Sequence, residues 1–327
     1  MKNKSNFLKV FLLLCFVPVF SALVYAQEDV SKFPSRPITF VIANPPGSGT
    51  DLMFRIWCKE AEKYLGQPIV PVNKPGGAAV IGTEAINSAK PDGYTVGHFG
   101  AASAIIVPLL EKTPYDPIKD LAPIAGMVQL NTLAIANSGS SRFTSWKDLI
   151  DYAKQNPKKV TYATTGVNSM SQLVVEKMAR VENVQLTHIP FKGMPEMEVA
   201  LLGGHVDMGV GVFTTSLIEA KKLRPLVMLT DTRNVADFRQ FPTVTQLYPG
   251  IPPIGNTGIA GPKGIPAGIF KKLEDAFGKA LKQPSVIKEM EKINMSIIPL
   301  DAKGYAEYIN TSYELYKQWI KEMGSVK

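Results

Sequence analysis

Ile38-Thr39-Phe40-Val41-Ile42, then Ala43-Asn44, then Pro45-Pro46-Gly47-Ser48-Gly49-Thr50-Asp51 is the stretch that decides the fold. Five apolar or β-branched residues bounded by turn formers predict a buried strand. Beyond the turn, Met53, Trp57, Ala61 and Tyr64 recur at helical spacing. A strand over 69–72, a helix over 80–89 and a strand over 94–97 follow. This βαβαβ order predicts a parallel sheet with right-handed crossovers.

The turn itself carries chemistry. A glycine-rich corner between strand and helix leaves backbone N–H groups free to meet a ligand, and the helix start that follows favours negative charge. It is not a nucleotide motif: Leu52 stands where the third glycine of G-x-G-x-x-G belongs, and no Lys-Ser/Thr pair follows as in a P-loop. The plain alternative is a tight connection with Thr50 or Asp51 as N-cap. Asn73-Lys74-Pro75-Gly76-Gly77-Ala78-Ala79 occupies the equivalent corner of the next unit. In a parallel sheet both corners lie at the C-terminal edge of the strands and can converge on one ligand. Gly97-His98-Phe99-Gly100-Ala101-Ala102-Ser103 is a third candidate corner.

The middle of the chain repeats this logic as a separate unit. Strands are expected over 133–136, 160–163, 186–189, 208–212 and 225–229, with helices starting near Ser145, Ser169, Pro195 and Thr214. Ser145-x-x-Asp148 and Ser169-x-x-Gln172 have capping-box spacing. Thr164-Thr165-Gly166-Val167-Asn168-Ser169 ends a strand and opens a helix, with Ser169 either a cap or a ligand contact. Lys192 in Phe191-Lys192-Gly193 can meet an anion or simply be solvated. Asp207 is a candidate loop acceptor, and Phe213 either core or a lid. After a Pro/Gly-rich stretch over 249–264, three helices follow, striped by Ile269, Leu273, Phe277 and Leu281; by Val286, Met290 and Ile293; and by Tyr305, Tyr308, Tyr316, Trp319 and Ile320. Periodicity leaves open which unit they join.

Composition agrees with an α/β protein of about two domains: 327 residues, 45% apolar, with 26 glycines and 25 prolines as punctuation and no internal repeat. Lys2, Lys4 and Lys9, an apolar run over 10–20 and the small-residue end Val24-Tyr25-Ala26 read as a secretory signal over 1–26. The alternative is a retained N-terminal anchor. Cys15 leaves with the signal, so Cys58 remains alone and no internal disulfide forms. Removing the signal lowers the formal charge from +8 to +5, too mild and too scattered for a nucleic-acid binder. His98, His188 and His205 lack metal spacing, and no G-x-S-x-G elbow occurs. Neither metal nor cofactor is expected.

Taken in order, Pro45-Pro46-Gly47-Ser48-Gly49-Thr50-Asp51, Leu65-Gly66-Gln67-Pro68, Asn73-Lys74-Pro75-Gly76-Gly77, Pro91-Asp92-Gly93-Tyr94-Thr95, Pro114-Tyr115-Asp116-Pro117, His188-Ile189-Pro190-Phe191-Lys192-Gly193, Leu201-Leu202-Gly203-Gly204-His205-Val206-Asp207 and Gly261-Pro262-Lys263-Gly264 give the chain its resemblance. It resembles the Bug-type solute receptors of tripartite tricarboxylate transporters. The resemblance implies a periplasmic binding protein of Venus-flytrap form (type II). Each lobe would be a mainly parallel sheet flanked by helices, with lobe 1 over 34–126 plus 253–327 and lobe 2 over 127–252. It implies a monomer that holds a small carboxylate (a di- or tricarboxylate, acidic amino acid or aromatic acid) and hands it to a membrane permease. Carried over by position, the first lobe contributes Gly47, Ser48, Gly49, Asp51, Gly76, Gly77 and Ala78, and the second Thr165, Ser169 and Asp207. Asn44, Ser48 and Gln172 depart from the residues common in that family and bear on side-chain selectivity. Two other readings stay open on the residues: a ligand sensor for a signalling kinase, and an exported α/β enzyme.

Overall fold

The computed structural model describes residues 30–129, 132–137, 142–167, 169–213, 215–230, 240–251, 253–293, 295 and 297–323. The signal expected over 1–26, with Cys15, lies outside the described residues, as do Asn168 and Thr214. Among the described residues no helix is long and apolar enough to cross a membrane.

The chain opens with β1 (Ile38–Ile42), α1 (Gly49–Leu65), β2 (Ile69–Asn73), α2 (Val80–Asn87), β3 (Thr95–Gly100) and α3 (Val107–Leu110). It then crosses by β4 (Leu121–Gln129) to β5 (Thr132–Asn137), α4 (Trp146–Gln155), β6 (Thr161–Thr164), α5 (Met170–Val181) and β7 (Thr187–Pro190). Next come α6 (Met194–Leu202), β8 (Met208–Val212), α7 (Thr215–Glu219), β9 (Leu223–Met228) and α8 (Val244–Leu247). The return runs through β10 (Asn256–Pro262), α9 (Ala267–Leu281), α10 (Pro284–Lys292), β11 (Ile297–Leu300) and α11 (Ala302–Met323). The strands form two sheets, ordered β11-β4-β10-β3-β1-β2 and β7-β6-β8-β5-β9.

Both sheets are mixed, which corrects the expectation of mainly parallel ones. β1 pairs parallel with β2 and β3, and β6 parallel with β7 and β8. The antiparallel pairs are those of the crossing strands: β10 with β3 and β4, β11 with β4, and β5 with β8 and β9. The reason is topological. β4 leaves the first sheet and β10 re-enters it at its side, so the two run in opposite directions; β5 and β9 do the same in the second sheet.

The first helix shows how local sequence sets this up. Ser48 caps α1, its hydroxyl accepting from the Asp51 amide at 3.2 Å, and Gly66 closes it in the left-handed region at φ 71°. The buried face is Met53, Phe54, Trp57, Cys58, Ala61 and Leu65. Tyr64, expected there, is 40% exposed, because Leu65 is the residue on the inward side. Trp57 donates to the Phe277 carbonyl at 2.9 Å, which joins α9 to α1 and places that C-terminal helix in the first lobe. Phe40, Phe54, Trp57 and Phe277 form one aromatic cluster in this core, with Phe54 stacked on Trp57 and Phe277 edge-on to it. Cys58 is buried and unpaired.

Candidate functional site

Three strand-to-helix corners lie at the C-terminal edge of β1, β2 and β3. A buried polar bracket joins the first two. The Asp51 carboxylate, 3% exposed, accepts from the Gly47 amide at 2.9 Å, from Asn73 Nδ2 at 2.8 Å and from Arg55 Nε at 3.0 Å. Asn73 also donates to the Asn44 carbonyl at 3.0 Å and accepts from Arg55 Nη2 at 2.8 Å. Burial works to raise the Asp51 pKa, but the hydrogen bonds from Arg55, Asn73 and Gly47 outweigh it, and the carboxyl sits below its usual range. Gly82 allows the close approach of α2: a Cβ there would lie 2.6 Å from that of Ala43.

The second corner is conformationally unusual. Gly76, Gly77, Ala78 and Ala79 all have positive φ, at 125°, 56°, 49° and 77°. Two consecutive alanines in the left-handed region are strained, and such strain gathers where backbone meets ligand. The amides of Gly77 and Ala78 have no acceptor among the described residues, nor do those of Gly49 and Thr50 in the first turn of α1. Four N–H groups on one edge are thus available to an anion.

Beneath the third corner, the His98 ring packs against Phe54, tilted by 44° with centroids 4.8 Å apart, and its Nε2 lies 3.2 Å from Thr257 Oγ1. Burial lowers its pKa to about 4, so the ring is neutral. Nδ1 is buried without a partner among the described residues. The tautomer with the proton on Nε2 suits this, since an unmade lone pair is cheaper than an orphaned N–H.

The second lobe builds its corners differently. Thr164 donates to the Gly166 carbonyl at 2.8 Å, and Ser169 donates to Thr164 Oγ1 at 3.2 Å. His188 Nε2 lies 2.8 Å from the same oxygen, whose one proton is already given, so Nε2 carries the donor. Ser169 Oγ in turn accepts from the Gln172 amide and caps α5. Phe191 N donates to the Thr164 carbonyl at 2.9 Å, which carries the β6–β7 pairing past the strand ends and holds residues 191–193 beside this corner. Thr165 and Lys192 are exposed.

α11 ties the two sets of corners together. Tyr305 donates to the Phe99 carbonyl at the end of β3, the Tyr305 and Tyr308 rings stack at 6.4 Å, and Tyr308 Oη lies 3.9 Å from Met170 Sδ at the start of α5. Farther along, Lys177 of α5 pairs with Glu322 at 2.8 Å.

The expected site residues therefore separate. Gly49, Gly76, Gly77 and Ala78 share one edge with free amides among them. Gly47 and Ser48 are in the same corner, but the Gly47 amide is bound by Asp51, the Ser48 amide is 3.3 Å from the Pro45 carbonyl, and the Ser48 hydroxyl is the N-cap in place of Thr50 or Asp51. Asp51 is a buried bracket, with its oxygens turned to Gly47, Asn73 and Arg55. Thr165 and Ser169 lie at the second-lobe edge, Ser169 with its hydroxyl committed. Asp207 does not join them. It accepts from Thr161 N and Oγ1, both at 2.9 Å, and pairs with Arg142 at 3.1 Å. Thr161 begins β6, whereas Thr165 follows it, so about 10 Å of strand separates Asp207 from the corner. Phe99 and Phe213 are core residues, 0% and 1% exposed. Arg55 and Asn73 were not anticipated. The i,i+4 spacing of Asp51 and Arg55 carried a signal for the first; nothing local marked Asn73.

Two α/β lobes, joined by crossing strands and with strand-to-helix corners along their sheet edges, define a two-lobed solute-binding protein. Over residues 53–325 the chain matches the "Tripartite tricarboxylate transporter family receptor" model, and it belongs to that family. It is 34% identical to the "UPF0065 protein in gbd 5'region" of Cupriavidus necator over 307 residues, 94% of this chain and 93% of that one. The crystal structure of a TctC solute-binding protein from Polaromonas, without ligand, superposes with a TM-score of 0.78 at 25% identity, covering 89% of this chain and 99% of that one. Two Rhodopseudomonas palustris proteins, each 24% identical, share the fold. Rpa4515 with adipate has a TM-score of 0.75 and covers 89% and 98% of the two chains; MatC with bound malate has 0.69 and covers 88% and 100%.

Proposed function

We propose that this chain is a periplasmic receptor that captures a small carboxylate between its lobes and presents it to a membrane permease, without covalent chemistry. The observation that carries the reading is the run of positive φ over 76–79, with the free amides of Gly77 and Ala78 on the same sheet edge as those of Gly49 and Thr50. Amides fixed in this way match the two oxygens of one carboxylate. Hydrogen bonds to a charged group contribute about 1.5 to 3 kcal/mol each, so three or four approach the roughly 8 kcal/mol of micromolar binding. Gly47, Ser48 and Asp51 shape this cradle, Gly76 permits its bend, and Thr165 with the Ser169 end of α5 meets the rest of the ligand. The adipate and malate held by the two fold neighbours agree with this class of ligand.

The lobes divide at 34–126 plus 253–327 and 127–252, the signal is cleaved near Ala26, and the mature protein is a monomer. The test is a thermal-shift and calorimetric screen of the mature protein against di- and tricarboxylates, acidic amino acids and aromatic acids. Stabilisation by a carboxylate is expected; stabilisation only by sugars, amines or other solutes that carry no carboxylate overturns the reading.

A further inference from the structure

The second lobe must meet the end of the ligand that the first lobe leaves free, and its polar groups can be taken one by one. Thr164 gives its proton to the Gly166 carbonyl, Ser169 gives its own to Thr164, and His188 Nε2 faces the same oxygen. His188 carries no charge to offer, since burial lowers its pKa, only partly offset by Glu176. Arg142 lies with Asp207 at the opposite edge of the sheet. The Thr165 hydroxyl and the Lys192 ammonium stand exposed at this edge, with no hydrogen bond or ion pair among the described residues. Lys192 is the cation of the pair. Its backbone is held, because Phe191 N is bound to the Thr164 carbonyl at 2.9 Å and α6 begins at Met194. On the first lobe, the acid of the amide corners, Asp51, is already matched by Arg55, so it does not repel a second negative group.

From this we propose that Lys192 is a specificity-determining residue, and that the ligand is a dicarboxylate whose second carboxylate is read by its ammonium. The inference rests on the carboxylate reading above. With one carboxylate on the first-lobe amides, a second at the far end faces the β6 and β7 corners, where a lone ammonium supplies the compensating charge. A monocarboxylate of equal length leaves that ammonium unmatched and gains nothing from it.

The experiment is calorimetric titration of the mature protein and of Lys192→Met with succinate, malate and adipate, each beside a monocarboxylate of matched chain length. The wild type is expected to prefer the best dicarboxylate over its monocarboxylate by about 10- to 100-fold, the range of one charge-assisted hydrogen bond. Lys192→Met should erase that preference while changing monocarboxylate binding by no more than about twofold, and Lys192→Arg should restore part of it. An unchanged preference in Lys192→Met, with normal thermal unfolding, overturns the role of Lys192. A wild type that binds both series equally overturns the dicarboxylate assignment and leaves the cradle standing. A wild type that binds neither overturns the carboxylate reading and this inference with it.

Discussion

The corner over 76–79 follows β2, the edge strand of the first sheet, and the corner over 164–169 follows β6, an interior strand of the second; both lead from strand to helix, and they are built by opposite means. The first offers backbone: four positive φ angles, two of them on alanine, and amides with no acceptor among the described residues. The second is closed by side chains, with Thr164, Ser169 and His188 satisfying one another. The difference teaches where selectivity can reside. Backbone N–H groups are present whatever small side chain stands beside them, so they carry little side-chain selectivity. A saturated hydroxyl network adds rigidity and no charge, so discrimination passes to the groups left outside it.

The contrast can be broken first at Asp51. Asp51→Ala removes the anion that pairs with Arg55 and the acceptor of the Gly47 amide and of one Asn73 N–H, so we expect a loss of about 3 kcal/mol in urea unfolding, together with weakened ligand binding. An unaltered midpoint would mean that the first corner does not depend on its bracket.

A slightly smaller effect is expected at His98. Folded His98 titrates near 4 and an unfolded one near 6.5, so the unfolded chain takes up the proton first. The stability contributed by the neutral ring is complete above pH 6.5 and is lost as pH falls towards 4. Between pH 7 and 4.5 it amounts to about 2 to 3 kcal/mol. Urea unfolding at the two pH values should show His98→Gln losing less stability than wild type by that amount; parallel losses would place the titrating group elsewhere.

Ser169→Ala should cost about 1 kcal/mol through the lost cap of α5. Because that hydroxyl is already committed to Thr164, ligand affinity should stay within about twofold. A tenfold loss of affinity at unchanged fold would show that the second corner reads the ligand with side chains after all. The smallest effect is expected for Ala78→Gly. Relief of the left-handed alanine and the greater freedom of the unfolded chain nearly cancel, leaving stability within about 0.5 kcal/mol. Affinity should nevertheless fall about threefold, because the cradle is no longer preset. Calorimetry beside thermal unfolding separates the two readouts.

Much of the fold was legible in the residues. The strand over 38–42 and the helix starts at Ser145 and Ser169 are where the apolar runs and cap spacings put them. Less could be read where pairing is long-range. β4 and β10 carry Pro and Gly, and β11 a Pro, within weakly alternating runs, and only their neighbours make them strands. The Ser145 spacing also misled in part: its hydroxyl takes the Asp148 amide as expected, but Asp148 reaches back to Thr144, and the reciprocal box is at Thr243 and Gln246. For the site, glycine clusters marked the corners because only backbone geometry is at stake there. They did not mark Ala79, since alanine is rarely left-handed, nor the misplaced Asp207, whose partners Thr161 and Arg142 are 46 and 65 residues away.

The position of β10 has a consequence for the birth of the molecule. It is an interior strand of the first sheet, between β3 and β4, yet it is made only after the whole of β5 to β9. As the chain emerges from its N-terminus, β1, β2 and β3 must wait with an open edge while the second lobe, continuous in sequence, completes its own sheet. The lobe that carries the cradle is therefore the last to close, and a chain cut short before residue 256 lacks the strand that joins β3 to β4.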